Sequence, residues 1–125
     1  MKLAVTTGLI LLLGSTCLHA QQALVGTYNG TFTAKIRSSS AEIQVGLKLE
    51  ITSAENGALK GTLINYGTAG CGGQYKLEGT YQDDKLQLTS DKGGRAGDCT
   101  LQFQLTAEGN KLVGKMGPND VTLSK

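Results

Sequence analysis

Ile43-Gln44-Val45-Gly46-Leu47-Lys48-Leu49-Glu50-Ile51-Thr52 places an apolar side chain at every second position. Period two is the signature of a strand with one face buried and the other in water. A helix would repeat its apolar positions every three to four residues, and no stretch after the first twenty residues does so. Leu101, Phe103 and Leu105 alternate with Gln102, Gln104 and Thr106 in the same way. Turn-forming residues divide the chain around these two segments into eight strands, near 24–36, 41–53, 58–66, 74–82, 85–90, 99–107, 111–116 and 120–124. Three connections are tight: Glu55-Asn56-Gly57, Asp83-Asp84 and Glu108-Gly109-Asn110. Turns this short join antiparallel neighbours.

A hairpin repeat runs through the pattern. Leu24-Val25-Gly26-Thr27-Tyr28 recurs as Leu59-Lys60-Gly61-Thr62-Leu63, as Leu77-Glu78-Gly79-Thr80-Tyr81 and as Leu112-Val113-Gly114-Lys115-Met116. Leucine, glycine and the final residue share one face. A glycine on the apolar face lets a strand coil sharply and lets a neighbouring backbone approach. The reading is all-β: a single domain over 21–125, in which an eight-stranded antiparallel up-and-down meander closes into a small barrel. Closure pairs the last strand with the first and removes the free edges. A β-sandwich is the second architecture that would bury one face of such strands.

The first twenty residues read as a signal peptide, 1–20. Lys2 starts it, Leu9–Leu13 forms its apolar run, and Leu18-His19-Ala20 is a cleavage site. Cys17 lacks the leucine three residues before it and the small residue directly before it that lipid attachment wants, since Gly14 and Thr16 stand there. Cleavage is therefore expected after Ala20, with a periplasmic or secreted destination. No later segment is long and apolar enough to span a bilayer as a helix. Removing 1–20 also removes the only His, His19, and one of the three Cys. Imidazole-based triads and His-metal sites are then excluded. The two remaining cysteines, Cys71 and Cys99, cannot close a zinc site by themselves. They have one possible intramolecular pairing, and an oxidising compartment favours it. Only Lys2 is lost among the charges, leaving 11 bases against 10 acids, so nucleic acid is not an expected partner.

In a meander the loops alternate between two ends. The tight turns fall at one end, and the connections 36–41, 67–73, 91–98 and 117–120 at the other. Cys71–Cys99 would tie two of these Gly-rich loops together. Both arginines, Arg37 and Arg95, lie in or beside them, with Lys92. Arginine recognises carboxylates and phosphates by paired hydrogen bonds, and loops on a rigid scaffold usually carry binding residues. The candidate rim is Arg37, Gly72, Gly73, Tyr75, Lys92, Arg95 and Asp98. The plainer alternative is that Asp91, Asp98 and Asp120 neutralise the bases in weak surface pairs.

The opening Gly26-Thr27-Tyr28, the hairpins and the eight short strands resemble in architecture the small exported barrels of the avidin and lipocalin type. Avidin pockets depend on tryptophan, which this chain lacks, and lipocalins carry Gly-x-Trp near their start. No binding residue is therefore carried over. Cys71-Gly72-Gly73-Gln74-Tyr75 and Lys92-Gly93-Gly94-Arg95-Ala96 are similar to the Ser-Gly-x-x-Tyr and Lys-Gly-x-x-Ala motifs of periplasmic lysozyme inhibitors of the membrane-bound C-type family, with Cys71 in place of the serine and a longer separation. Three functions follow as expectations. The first is a non-enzymatic protein that binds a partner or ligand through the loop end. The second is a carrier of a small apolar ligand inside the barrel, with tyrosine hydroxyls as polar anchors. The third is an inhibitor of a lysozyme-like hydrolase. No cofactor and no catalytic residue is expected, because carboxylates, lysines and tyrosines alone remain for acid–base work.

Overall fold

The computed structural model describes residues 23–35, 41–68, 70–95 and 97–125. The expected signal peptide and Arg37 lie outside the described residues. Eight strands follow in order: β1 Gly26–Lys35, β2 Glu42–Glu55, β3 Ala58–Asn65, β4 Gly73–Gln82, β5 Lys85–Ser90, β6 Gln102–Glu108, β7 Lys111–Met116 and β8 Asn119–Ser124. Each pairs antiparallel with the next, and β1 pairs with β8 from Asn29↔Ser124 to Phe32↔Val121, so the sheet is a closed barrel. The sandwich alternative does not apply.

Inward-facing side chains from all eight strands fill the interior. Leu47, Leu49, Ile51, Leu59, Leu63, Leu77, Leu86, Leu88, Phe103, Leu112 and Leu123 are fully buried. Each contributes about 2 kcal/mol relative to exposure. The alternation that opens in β2 holds through Ile51 and then slips. A bulge between Ile51 and Ser53 inserts one residue, so Ala54 rather than Ser53 points inward. Leu24 is buried too, although it precedes β1. Ile43 has inward parity yet is 45% exposed, because it lies beyond the last β3 partner of β2, at Leu47. Tyr81 and Leu101 are only partly buried against the core.

The repeated glycines face inward where neighbouring strands cross. A Cβ on Gly61, Gly79 or Gly114 would collide with the carbonyl oxygen of Glu50, Gln87 or Gln104 on the adjacent strand. In the first copy of the repeat this role passes from Gly26 to Gly30, which sits against the carbonyl of Thr122 on β8. Glycine therefore lets the sheet coil tightly enough to close, and Gly30 stands at the closing seam.

The tight connections occupy one end: Asn56-Gly57, Asp83-Asp84 and Gly109-Asn110. Asn56, Asp83 and Asp84 take positive φ, as two-residue hairpin turns of this hand require. The opposite end, where β1 ends and β2 begins, carries the described residues 66–68, 70–72, 91–95 and 97–101. It also carries the β7–β8 connection, which is shorter than expected. Gly117-Pro118 alone makes that turn, and Asn119 and Asp120 belong to β8. Gly117, with φ 58°, permits the tighter form.

Candidate functional site

The loop end is built on two connections. β3 ends where Asn65, buried at the rim, accepts the Gly67 N–H on its side-chain oxygen at 2.8 Å and bends the chain away. β5 ends at Ser90. Its hydroxyl accepts the Leu101 N–H at 2.7 Å and donates to the Asp91 carbonyl at 2.8 Å, pinning the base of the 91–101 loop. Gly93 and Cys99 then pair as a small bridge, exchanging N–H···O bonds of 3.0 and 3.1 Å. This narrows the loop toward a tip that includes Gly94, Arg95, Gly97 and Asp98. Sequence patterning placed the start of β6 at 99. The structure starts it at Gln102, because Cys99 belongs to this bridge.

Two links join the loops. The disulfide Cys71–Cys99 forms as expected, with its Cα atoms 5.5 Å apart. The Arg95 N–H donates to the Gly72 carbonyl at 2.9 Å. Beneath them lies Tyr75, only 3% exposed, whose hydroxyl donates to the Cys71 carbonyl. Gly93 and Gly94 pack on the Tyr75 ring and hydroxyl, and Gly73 meets the backbone of Gly94. A side chain at Gly94 would strike the Tyr75 hydroxyl, and its φ of 80° suits glycine. Burial and the nearby Asp91 carboxylate raise the Tyr75 pKa above the usual 10.0.

The expected rim therefore divides into two groups. Gly72, Gly73 and Tyr75 build the platform, and Gly72 and Tyr75 are buried within it. Lys92, Arg95 and Asp98 are exposed on the surface above. Neither Lys92 nor Arg95 forms an ion pair among the described residues. The carboxylates proposed to neutralise them are partly engaged elsewhere. Asp120 pairs with Lys115 at 3.3 Å, on an exposed surface, and Asp91 accepts the Lys76 N–H at 2.9 Å.

Tyr66 went unrecognised as a surface group in the sequence. It is 59% exposed, and its ring lies over Gly46 of β2. The other three tyrosine hydroxyls donate within the chain: Tyr28 to the Leu24 carbonyl at 2.9 Å, Tyr75 to Cys71, and Tyr81 to Asp84 at 3.1 Å. Among the described residues Tyr66 has no such partner. Strand parity is the signal that finds it. Leu63 and Asn65 point inward, so Ile64 and Tyr66 point out. Beside Ile64 a shallow groove of about 380 Å³ crosses the outside of β3 and β4 toward Asp91.

Chemically, this end offers the cations Lys92 and Arg95, unpaired among the described residues, the exposed carboxylate of Asp98 beside them and the Tyr66 ring on a stiff support. Among the described residues no three His, Cys, Asp or Glu side chains gather as a metal site. No helix among them is long and apolar enough to cross a membrane. The chain matches no protein-family model, no curated protein and no solved structure.

Proposed function

We propose that this chain is an exported, non-enzymatic binding protein that uses its loop end to engage an anionic surface on a partner protein. One observation carries the reading: Lys92 and Arg95 stand exposed and without ion pairs among the described residues, on one loop locked to its neighbour by Cys71–Cys99 and the Arg95–Gly72 bond. Holding cationic side chains on a stiff support lowers the ordering cost of binding. Their charge steers an acidic partner toward this end. The disulfide suits an oxidising compartment. Carriage of an apolar ligand has less support, because the barrel is filled by its own side chains and the inner tyrosine hydroxyls are already bonded.

The convergence of 71–75 with 92–95 favours a second, narrower form of this reading. The two segments similar to the motifs of lysozyme inhibitors are distant in sequence, yet they meet at Gly73, Gly94 and the Arg95–Gly72 bond. A carboxylate-lined active-site cleft is a partner of the required charge.

Titration of purified protein into lysozymes of several classes, read by residual activity and by complex formation on a sizing column, tests this narrower form. The expected result is inhibition that weakens with salt and disappears in the double variant Lys92→Glu/Arg95→Glu. Absence of both inhibition and complex removes the lysozyme form. The broader reading is tested by affinity capture from the source periplasm or medium, with wild type set against the same double variant. Capture of the same partners by both proteins overturns it.

A further inference from the structure

β1 and β2 continue past the point where the barrel closes. β8 pairs with β1 only over Asn29–Phe32, and β3 pairs with β2 only as far as Leu47. One further bond, from the Tyr66 N–H to the Gly46 carbonyl at 3.0 Å, ends the contact on that side. The β1–β2 ladder nevertheless runs on to Lys35↔Glu42. Thr33–Lys35 and Glu42–Val45 thus form a two-stranded arm beyond the rim. Among the described residues, no strand pairs with its outer edges.

The direction of the free backbone groups follows from the ladder. Along an antiparallel strand, successive residues turn their N–H and C=O to alternate sides. Gly46 turns its carbonyl toward β3, so Gln44 and Glu42 turn theirs to the same side, where β3 no longer runs. Ile43 and Val45 bond toward β1 instead. An unpaired edge of this kind is a template for another strand. It carries one charged residue, Glu42, and no proline. Its inward face presents Ile43, 45% exposed because no strand lies opposite.

We propose that the protein self-associates through this edge, with Glu42–Gln44 of two copies pairing antiparallel about a twofold axis at Ile43. Such an isologous contact closes on itself as a dimer. Two features select the register. An axis at Glu42 would set like charges opposite each other, which is destabilising. An axis at Gln44 would call on Gly46, whose carbonyl is already bonded to Tyr66. With the axis at Ile43, Glu42 lies opposite Gln44 of the second copy, and each pair exchanges both backbone bonds. Ile43 then faces its own copy at a non-hydrogen-bonded position, where cross-strand side chains approach most closely. The exposed isoleucine is thereby covered. A contact this small makes a reversible dimer, not an obligate one.

Sedimentation equilibrium of the purified mature protein, from about 10 µM to about 1 mM, reads the association directly. The apparent mass is expected to climb toward twice the monomer. Ile43→Lys, which sets two cations face to face at an already exposed position, is expected to weaken association at least tenfold without moving the thermal midpoint. Gln44→Pro removes an edge N–H and no backbone bond to β1, and should act in the same direction; Gln44→Ala, which loses only the side-chain bond from Gln44 Nε2 to the Thr33 hydroxyl at 3.0 Å, should associate like wild type. Ile43→Cys should yield a disulfide-linked dimer under mild oxidation, whereas Val25→Cys, at the opposite end, should not. The double variant Lys92→Glu/Arg95→Glu should associate like wild type, which separates this contact from partner binding at the loop end. A monomer throughout the range overturns the proposal. So does association indifferent to Ile43→Lys, or equal cross-linking through Val25→Cys.

Discussion

The two ends of the barrel are sealed by the same local device and put to different use. At the turn end Tyr28 donates to the carbonyl of Leu24, four residues before it. At the loop end Tyr75 donates to the carbonyl of Cys71, again four residues before. Each phenol folds the segment that precedes its strand back over the barrel mouth. What surrounds the latch differs. At the turn end the neighbouring cation is consumed: the Lys125 ammonium donates to the Ala23 carbonyl at 2.6 Å and lies 5.6 Å from the centre of the Tyr28 ring. At the loop end a disulfide replaces that contact, and the cations above it remain exposed. Sealing a barrel mouth thus does not decide whether it is inert. The disposition of the charges around the seal does.

The largest expected effect separates the ends most sharply. Replacing Cys71 and Cys99 with serine opens a closed loop of 28 residues and should cost about 3 kcal/mol in chemical denaturation. Hydrogen exchange should rise at 91–101 and stay near wild type at Tyr28 and Leu24; equal loss at both ends would merge them into one cooperative cap.

Tyr28→Phe and Tyr75→Phe remove one hydroxyl each and should cost about 1 to 2 kcal/mol apiece. Tyr28→Phe is expected to cost more, because it strands the carbonyl of a buried residue, Leu24, whereas Cys71 is exposed. Thermal melts of the two variants rank them.

Alkaline titration acts on both latches together. Burial raises the pKa of Tyr28, Tyr75 and Tyr81 above 10.0, and for Tyr81 the hydrogen bond to Asp84 and the Asp83 and Asp84 charges add to it. A folded-state value above the unfolded one favours the folded form while the phenols keep their protons. That contribution is intact below pH 10 and fades as pH rises from there through the folded-state values. Denaturant midpoints should therefore hold up to about pH 10 and decline above it. Variants lacking both Tyr28 and Tyr75 hydroxyls should decline less.

The smallest effect on stability belongs to the surface charges. Lys92→Glu/Arg95→Glu and Lys115→Ala should each shift stability by no more than about 0.5 kcal/mol. Only the first should abolish partner binding, and calorimetry beside a thermal melt reads both quantities.

Much of the fold was legible in the chain. Alternation in Ile43–Ile51 and Leu101–Leu105 reports which face meets the core, and the two-residue turns report which strands are neighbours. The Leu-x-Gly repeat marked close strand crossings, three of which the structure places at Gly61, Gly79 and Gly114. The remainder escaped because it depends on what lies across the barrel. Ile43 and Leu49 have the same parity, and only the absence of an opposing strand exposes the first. Leu24 precedes any strand, yet the Tyr28 latch buries it. In the candidate site, patterning located Lys92, Arg95 and Asp98 on the loop end. It also counted Tyr75 among the rim residues, although the ring lies under the loops. Tyr66 passed unnoticed because the apolar pattern draws the eye to the inward residues.

By itself, the sequence determined the strand order, the buried face of most strands and the one possible cysteine pairing within 21–125. These are local or combinatorial properties, set by side-chain period, turn chemistry and count. Tertiary structure chose the closed barrel, in which β1 meets β8 as the meander reading expected, over the sandwich, and it alone decided that the bulge after Ile51 brings Ala54 inward. It also decided that 71–75 meets 92–95 and that the β1–β2 arm outruns its neighbours. Each of these depends on register and stagger around a closed sheet, which no single strand encodes.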